Sequence, residues 1–458
     1  MSNYSTILAG IGIVLLGMMS YFGFTDLAIV LLVIFLGVRL GGIAIGYTGG
    51  IGVILLGIIC GLKPGEIPTS VILIIMSVIA AISAMQLAGG LDYLVHIAEK
   101  ILRKNPKKIN YLAPAITYFL TILAGTGHTA FSMIPVIVEV AKEQNIKPKA
   151  PLSLAVVSSQ IAITASPVSA AVVYLSGVLE PFGYSYISML SVWVISTFLA
   201  CMIAAFLITK FSNLDLSSDE YYKEQLEKGL IVKKEMEERQ IKQGAFASVM
   251  IFVIGVVLVV CYATYISGLP SEKIIISRDS AIMCVMLSIA TFIVLATKIN
   301  TSKIIDASVF KSGMNACVCV LGVAWLGDTY VSAHSNEIKQ FAKELVESKP
   351  YLLAVAFFFA SMLLYSQAAT AKAIVPSVVA ALALKENPEN AKIIIASFAA
   401  VSALFVLPTY PTLLGAVGMD DTKTTRIGKF VFNHSFFIPG VLMIALSVAL
   451  GFVFVKFI

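Results

Sequence analysis

The sequence is poor in charge. Only 13% of its 458 residues are Asp, Glu, Lys or Arg, whereas about a quarter of the residues in soluble globular proteins are charged. Hydrophobic residues make up 59%, and the mean hydropathy is +0.94. This composition excludes an ordinary soluble protein, and it predicts an all-α polytopic membrane protein whose partner is the lipid bilayer.

Histidine and cysteine are also scarce, with four and six copies. The histidines are widely separated and no H-E-x-x-H or G-x-S-x-G motif occurs, so neither an enzyme nor a metal site is predicted, and no cofactor is expected. The cysteines lie in apolar runs, where packing explains them better than metal binding. The net charge of +6 comes without a basic patch interleaved with aromatic residues, so nucleic acid is not an expected partner.

Apolar runs that approach the roughly 20 residues of a membrane crossing recur along the chain. They cover residues 5–23, 24–38, 41–62, 69–88, 186–209, 245–268, 280–297, 308–332 and 432–455. The first run lacks a basic region before it and a cleavage pattern after it, so we interpret it as a retained span. The longest polar segment, 210–244, divides the chain into similar halves, and we expect a partly helical linker there.

The two halves repeat each other. Three landmarks of the first half recur at one offset of 241 residues: Thr129, Pro135 and Pro167 correspond to Thr370, Pro376 and Pro408. Upstream, amphipathic segments at 91–106 and 335–350 each end in proline. A shared register of three landmarks predicts an internal structural repeat.

Segment lengths predict a re-entrant hairpin in each half. Only 33 residues separate Lys108 from Lys142, and 35 separate Lys349 from Lys385, whereas two full crossings need about 40. The predicted tips are residues 125–129 and 366–370. Non-helical backbone at membrane depth must face protein or a wet cavity, so both tips should face a site.

A broken helix is predicted after each hairpin, over 150–181 and 391–419. Ser166 precedes Pro167, and Thr409 lies two residues before Pro411, which suits helix starts because a hydroxyl caps free N–H groups and proline tolerates the first helical position. Up to four half-helix N-termini would then point inward. Their partial positive charge suits an anion with two carboxylates.

Two ionisable residues at the tips have open interpretations. His128 could be a structural hydrogen-bonding residue, a proton carrier or a substrate contact. Lys372 could extend to the membrane interface or provide a cation beside an anion site, and a lysine at the centre of a membrane helix costs about 2.5 to 3.5 kcal/mol.

Basic residues predict the orientation. Most of the 32 Lys and Arg residues fall on one side if the first amphipathic segment is cytoplasmic and the second periplasmic. The N-terminus is then cytoplasmic and the C-terminus periplasmic.

Several motifs together resemble the anaerobic C4-dicarboxylate transporter (Dcu) family over nearly the whole chain. They are "GVRLGGIAIGYTGGIGV", "GTGHT", "ITASPVSAAVV", "YSQAAT", "LPTYP" and "RIGKFVFNHSFFIPG", and "YSQAATAKAIVP" is more similar to the DcuA branch than to the DcuB branch. The resemblance implies exchange and uptake of fumarate, succinate, malate and aspartate across a bacterial inner membrane. Relatives in the ion transporter superfamily have inverted repeats, each with a re-entrant helical hairpin and a broken transmembrane helix, work as elevators and are commonly homodimers.

Sodium-coupled relatives in that superfamily carry Ser-Asn-Thr at their tips, and this chain has no asparagine there. The departure favours antiport or proton-coupled uptake, with protons as the possible co-substrate. By position, the resemblance assigns substrate binding to Thr126, Gly127, His128, Thr129, Ser366, Gln367 and Thr370 at the tips and to Ser166, Pro167, Ser169, Thr409 and Tyr410 at the breaks. Lys372 is added as the neighbouring cation.

A cation/proton antiporter, or another organic-anion carrier of the superfamily, is the alternative. Such an antiporter should carry buried carboxylates at the crossing point, and the tips have none. The expected organisation is scaffold helices (1–68), a first repeat (69–211), a cytoplasmic linker (212–244), further scaffold helices (245–307) and a second repeat (308–458).

Overall fold

The computed structural model describes most of the chain. The described residues are 25–40, 43–67, 69–127, 130–231, 241–267, 269–334, 336–337, 349, 351–364, 366–408, 410–428 and 432–458. This part is predominantly helical, and apart from two isolated β-bridges it contains no strand.

Eighteen α-helices follow one another in the described residues. They are α1 (Thr25–Leu40), α2 (Ala44–Cys60), α3 (Thr69–Leu87), α4 (Gly90–Lys104), α5 (Ile109–Ala124), α6 (Ala130–Glu143), α7 (Lys149–Ala162), α8 (Ala170–Leu179), α9 (Tyr186–Phe211), α10 (Glu220–Glu227), α11 (Ala245–Ser267), α12 (Arg278–Thr297), α13 (Ser308–Ala333), α14 (Leu352–Leu364), α15 (Gln367–Ala381), α16 (Ala391–Ser397), α17 (Pro411–Met419) and α18 (Phe437–Phe454). Short 3₁₀ segments extend α7 over Ile163–Ala165 and α16 over Phe398–Phe405.

The predicted apolar runs coincide with helices wherever the structure describes them. Seven helical stretches among the described residues are long and apolar enough to cross a membrane. The predicted run at 5–23 lies outside the described residues, as does most of the amphipathic segment at 335–350. The prediction of a polytopic, all-helical membrane protein is confirmed.

The first amphipathic segment forms α4, which meets α3 at a bend of 72°. Its buried side chains, Leu91, Val95, Ala98 and Leu102, recur every three or four residues and form one stripe. The remaining faces carry the charged residues. The helix therefore lies against the protein with its polar side outward.

The broken helices are the most enclosed spans. Within the 18-residue apolar window of each span, 83% of the residues are buried in Lys149–Phe182 and 72% in Pro388–Phe405, but only 28% in Arg278–Thr297. Interrupted backbone exposes N–H and C=O groups that lipid cannot satisfy. This is why the interrupted spans lie inside and the continuous helix α12 lies outside.

The two hairpins enter from opposite faces. Lys147, just beyond α6, pairs with Asp219, beyond the end of α9, at 3.2 Å. The start of α9 belongs to the other face, because Tyr184 interacts electrostatically with Glu389 in the loop after α15. Since α9 has 26 residues and is about 39 Å long, the open ends of the hairpins lie a membrane thickness apart. The repeats are therefore inverted.

Packing between the halves is reciprocal. The second arm of the first hairpin, α6, packs on α17, and the second arm of the second hairpin, α15, packs on α8. Within each half the first arm packs on the first part of the broken helix, α5 on α7 and α14 on Phe398–Phe405. The closing helices α9 and α18 pack on each other. Paired contacts of this kind indicate two units related by an approximate two-fold axis.

Candidate functional site

The first hairpin tip lies against the first helix break. Helix α5 ends at Ala124 and is followed by Gly125, whose φ of +66° lies in the left-handed region that glycine adopts freely. A Cβ there would lie 3.0 Å from Val168 Cγ2, within the break. The Ser159 hydroxyl of α7 donates to the Gly127 carbonyl at 3.1 Å and lies 2.8 Å from Thr121 Oγ1. The tip is therefore held by polar contacts of its own half.

Two of the residues predicted at this tip, His128 and Thr129, lie outside the described residues. Thr126 is half-buried and Gly127 is buried. Helix α5 ends at Ala124 and α6 begins at Ala130.

The first break corrects one expectation. The helix resumes at Ala170 and not at Pro167, and its cap is Ser169, whose Oγ accepts from the Val172 N–H at 3.2 Å. Ser166 instead donates to the Ile122 carbonyl of the hairpin at 2.6 Å. Ser166 and Pro167 therefore form the turn that joins the break to the hairpin.

The second tip is shorter than predicted. Helix α15 already begins at Gln367, so Gln367 and Thr370 belong to its first turn. Ser366 caps this helix, because its Oγ accepts from the Ala369 N–H at 3.2 Å. The Thr370 hydroxyl donates back to the Ser366 carbonyl at 2.7 Å. Capping by Ser366 lets the helix start one residue into the predicted tip.

The second break follows Phe405 and ends where α17 begins with Pro411 at its first position. This start is the one predicted from the proline. Thr409 lies outside the described residues, and Tyr410 is half-buried. The Val406 carbonyl in the break lies 3.1 Å from His434 Nε2, so this histidine, which is not one of the predicted site residues, contacts the backbone of the break.

Lys372 lies in the second turn of α15 and is half-buried. Its ammonium interacts electrostatically with the carboxylate of Asp279 in the first turn of α12. A carboxylate within electrostatic range reduces the cost of holding an ammonium at this depth.

Gln160 is the residue that connects these parts, and sequence reasoning missed it. It is fully buried in α7. Its backbone carbonyl accepts from Gln367 Nε2 at 3.1 Å, and its own Nε2 donates to Thr412 Oγ1 at 3.4 Å. One glutamine thus joins α7 to the second tip and to the start of α17. The only sequence signal is a polar "SSQ" in an apolar helix.

The resulting site is a buried polar layer that suits an anion. The first turns of α15 and α17 contact Gln160. Helices α6 and α8 follow the first tip and the first break, which lie against each other. Their first N–H groups carry partial positive charge, and none of the described residues at the tips and breaks is acidic. Nor does the described part of the chain contain a group of three or more His, Cys, Asp or Glu residues that could hold a metal ion.

Hairpins that enter from opposite faces, together with broken helices that meet at mid-depth, define a class of membrane transporter with inverted repeats. Comparison of the chain with known protein families agrees with this class and identifies the family. Residues 22–458 match the family model described as anaerobic C4-dicarboxylate membrane transporter. The chain belongs to this family, and it is a transporter and not an enzyme.

Its relatives separate the two branches of the family. The C4-dicarboxylate transporter DcuA of Helicobacter pylori is 62% identical over 434 residues, which cover 94% of this chain and 98% of the relative. The anaerobic C4-dicarboxylate transporter DcuB of Escherichia coli is 35% identical over 451 residues, covering 94% and 97%. The predicted similarity to the DcuA branch is confirmed.

The crystal structure of the YdaH transporter of Alcanivorax borkumensis shares the fold. The TM-score is 0.51 at 13% identity, and the match covers 83% of this chain and 85% of that chain. At this identity the likeness concerns architecture alone.

Proposed function

We propose that this protein carries C4-dicarboxylates across the bacterial inner membrane. Its substrates would be fumarate, succinate, malate and aspartate, moved by antiport such as fumarate/succinate exchange, by proton-coupled uptake, or by both. The names of the relatives support the substrate class. The observation that carries the proposal is the buried polar layer, where Gln160 contacts the N-terminal turns of α15 and α17 and no described tip or break residue is acidic.

The substrate would lie between the two tips and the two breaks. Its carboxylates would be bound by main-chain N–H groups and by the side chains predicted above: Thr126, Gly127, His128, Thr129, Ser166, Pro167, Ser169, Ser366, Gln367, Thr370, Lys372, Thr409 and Tyr410. Within this set, the hydroxyls of Ser166, Ser169 and Thr370 already donate to carbonyls. Their contribution would be to fix the main chain whose N–H groups face the substrate.

Transport would proceed by an elevator motion, in which the hairpins and broken helices move against the scaffold helices. An empty site with uncompensated positive potential would cross a low-dielectric barrier slowly. A bound dicarboxylate would neutralise that potential, which favours exchange over net movement. We propose the orientation with a cytoplasmic N-terminus and a periplasmic C-terminus, and a homodimer as the assembly.

Counterflow in proteoliposomes tests the proposal. Labelled succinate should enter quickly when unlabelled dicarboxylate is trapped inside and slowly when it is not. Equal uptake into empty vesicles without any ion gradient would exclude obligatory exchange. Thermal stabilisation by sodium ions, but not by succinate, would instead support the cation antiporter.

The same assay includes a matched pair of variants. Lys372→Met should weaken succinate exchange by about tenfold if the ammonium contacts a carboxylate. Lys385→Met removes an exposed lysine beyond the same helix and should leave exchange unchanged. Unaltered succinate affinity in Lys372→Met would remove this residue from the site.

A further inference from the structure

The carboxamide of Gln160 is only half satisfied. Its Nε2 has a long hydrogen bond of 3.4 Å to Thr412 Oγ1. Its Oε1 is buried and has no hydrogen-bond partner among the residues that the structure describes. An enclosed amide oxygen without a donor is costly, and a methionine of similar size would avoid that cost. The group is therefore suited to a partner that arrives from outside the protein.

The position of the side chain indicates where this partner would bind. Gln160 contacts the first residue of α15 through Gln367 and the second residue of α17 through Thr412. The preceding residue, Ser159, bonds the Gly127 carbonyl of the first tip. The carboxamide thus lies beside the start of α17, and the backbone on which it sits contacts both tips, through the Gln160 carbonyl and through the neighbouring Ser159. This places the amide inside the proposed substrate site.

The repeat makes this amide unique to one side of the site. The residue 241 positions after Gln160 is Val401, which is also fully buried and has no polar group in its side chain. The site can therefore treat the two ends of a four-carbon dicarboxylate differently, although the fold around it is nearly symmetric.

A carboxylate cannot satisfy Oε1, because both are acceptors. Fumarate and succinate dianions contain no donor. Malate has a hydroxyl and aspartate an ammonium on C2, and either group could donate to Oε1 while Nε2 exchanges Thr412 for the neighbouring carboxylate. Sites that hydrogen-bond a substrate group discriminate strongly against analogues that lack it.

We propose that Gln160 recognises the C2 substituent of the substrate, with Oε1 accepting from a hydroxyl or ammonium group. This residue would then set the preference for substituted over unsubstituted C4-dicarboxylates. The inference rests on the proposed function and adds to it the residue that selects among the substrates.

The experiment is competition against labelled succinate exchange in proteoliposomes, with unlabelled L-aspartate, L-malate and succinate as competitors. Gln160→Met should raise the half-inhibitory concentrations of aspartate and malate about tenfold, the usual effect of losing a hydrogen bond to a polar or charged group. The value for succinate should change less than about threefold.

Two further variants make the test specific. Ser158→Ala removes a buried hydroxyl that donates to the Pro114 carbonyl at 2.8 Å. This bond lies away from the tips, so the half-inhibitory concentrations of aspartate, malate and succinate should keep the same ratio as in the wild-type protein. Gln160→Glu keeps an acceptor at the Oε1 position and loses the amide donor. Unlike Gln160→Met, it also adds a negative charge that repels the carboxylates of every competitor. It should therefore weaken competition by succinate most and that by aspartate least, because the aspartate ammonium can still donate to the retained acceptor, and it tests the inference even if Gln160→Met does not fold.

The assignment of Gln160 would be overturned if the half-inhibitory concentrations of all three competitors shifted equally in both Gln160 variants, or did not shift in either. The proposed function would still stand in that case, provided that the wild-type protein exchanges dicarboxylates. If the wild-type protein neither exchanges dicarboxylates nor takes them up along a proton gradient, the proposed function is overturned, and the role of Gln160 with it.

Discussion

The two helix breaks are held by different side chains. At the first, the Tyr186 hydroxyl donates to the Pro167 carbonyl at 2.8 Å, and at the second, His434 Nε2 lies 3.1 Å from the Val406 carbonyl. Each side chain comes from the start, or just before the start, of the helix that closes its half. A phenol keeps its proton near neutral pH, whereas an imidazole titrates there. Two similar backbones can therefore differ in their sensitivity to pH.

The outer ends of the broken helices show a second difference. Glu180 follows α8, and Asp421, 241 residues later, follows α17. Glu180 pairs with Arg278 of α12, whereas Asp421 pairs with Lys142 of the first hairpin at 2.8 Å. Equivalent carboxylates thus tie one broken helix to a peripheral helix and the other to a neighbouring hairpin.

The largest expected effect comes from breaking the first of these pairs. Arg278 is buried, donates to Ser176 Oγ at 2.9 Å and stacks on Tyr186 with 4.7 Å to the ring centroid. Arg278→Met should lower the free energy of unfolding by about 3 kcal/mol, because the Glu180 carboxylate loses its partner. Lys142→Met should cost less, about 1 kcal/mol, because Arg278→Met also removes the bond to Ser176 and the stacking on Tyr186.

Thermal unfolding in detergent measures both variants. The double variant Arg278→Met and Glu180→Met should be more stable than Arg278→Met alone, because it no longer contains the unpaired carboxylate. A larger loss in Lys142→Met than in Arg278→Met would contradict the ranking.

A smaller effect is expected at the first break. Tyr186→Phe keeps the ring that Arg278 stacks on and removes only the donor to the Pro167 carbonyl. The buried carbonyl is then unsatisfied, so unfolding should become easier by about 1 to 2 kcal/mol. Tyr262→Phe is the matched control, because Tyr262 donates to the exposed Ile276 carbonyl, which water can satisfy. Equal losses of unfolding free energy in Tyr186→Phe and Tyr262→Phe would show that burial of the Pro167 carbonyl does not strengthen the contribution of its hydrogen bond.

The second break should instead be sensitive to pH. The Phe436 N–H donates to His434 Nδ1 at 3.3 Å, so Nε2 carries the proton that the Val406 carbonyl accepts. Burial lowers the pKa of His434 below its ordinary value of 6.5, and the bond to Val406 only partly opposes this. The unfolded chain therefore binds a proton more readily. The contribution of His434 to stability is fully present above the ordinary pKa and is lost as the pH falls through the lower pKa of the folded protein.

The measurement compares thermal unfolding at about pH 7.5 and about pH 5.5. The unfolding temperature of the wild-type protein should fall on acidification. His434→Gln should unfold at a lower temperature than wild type at the higher pH, but its unfolding temperature should differ less between the two pH values. An identical pH dependence in both proteins would exclude His434 as the responsible group.

The sequence was sufficient for features that depend on local chemistry. Gly125 marks a hairpin tip because a chain that turns back inside a membrane needs a residue that accepts positive φ, and Pro411 marks a helix start because proline has no N–H to lose. The residue that restarts the helix after the first break was harder to predict. Ser166, Pro167 and Ser169 can all begin a helix, and only the contacts with Ile122 and Tyr186 decide that Ser169 is the cap.

The sequence by itself determined that the chain spans a membrane, that its halves repeat, and that each half turns back and breaks within the bilayer. These properties follow from hydropathy, segment length and the backbone preferences of glycine and proline, which act over a few residues. The tertiary structure alone decided which groups meet, such as Gln160 with Gln367 and Thr412, or Glu180 with Arg278. Their partners lie far apart in the chain, and only packing of the two inverted halves brings them into contact.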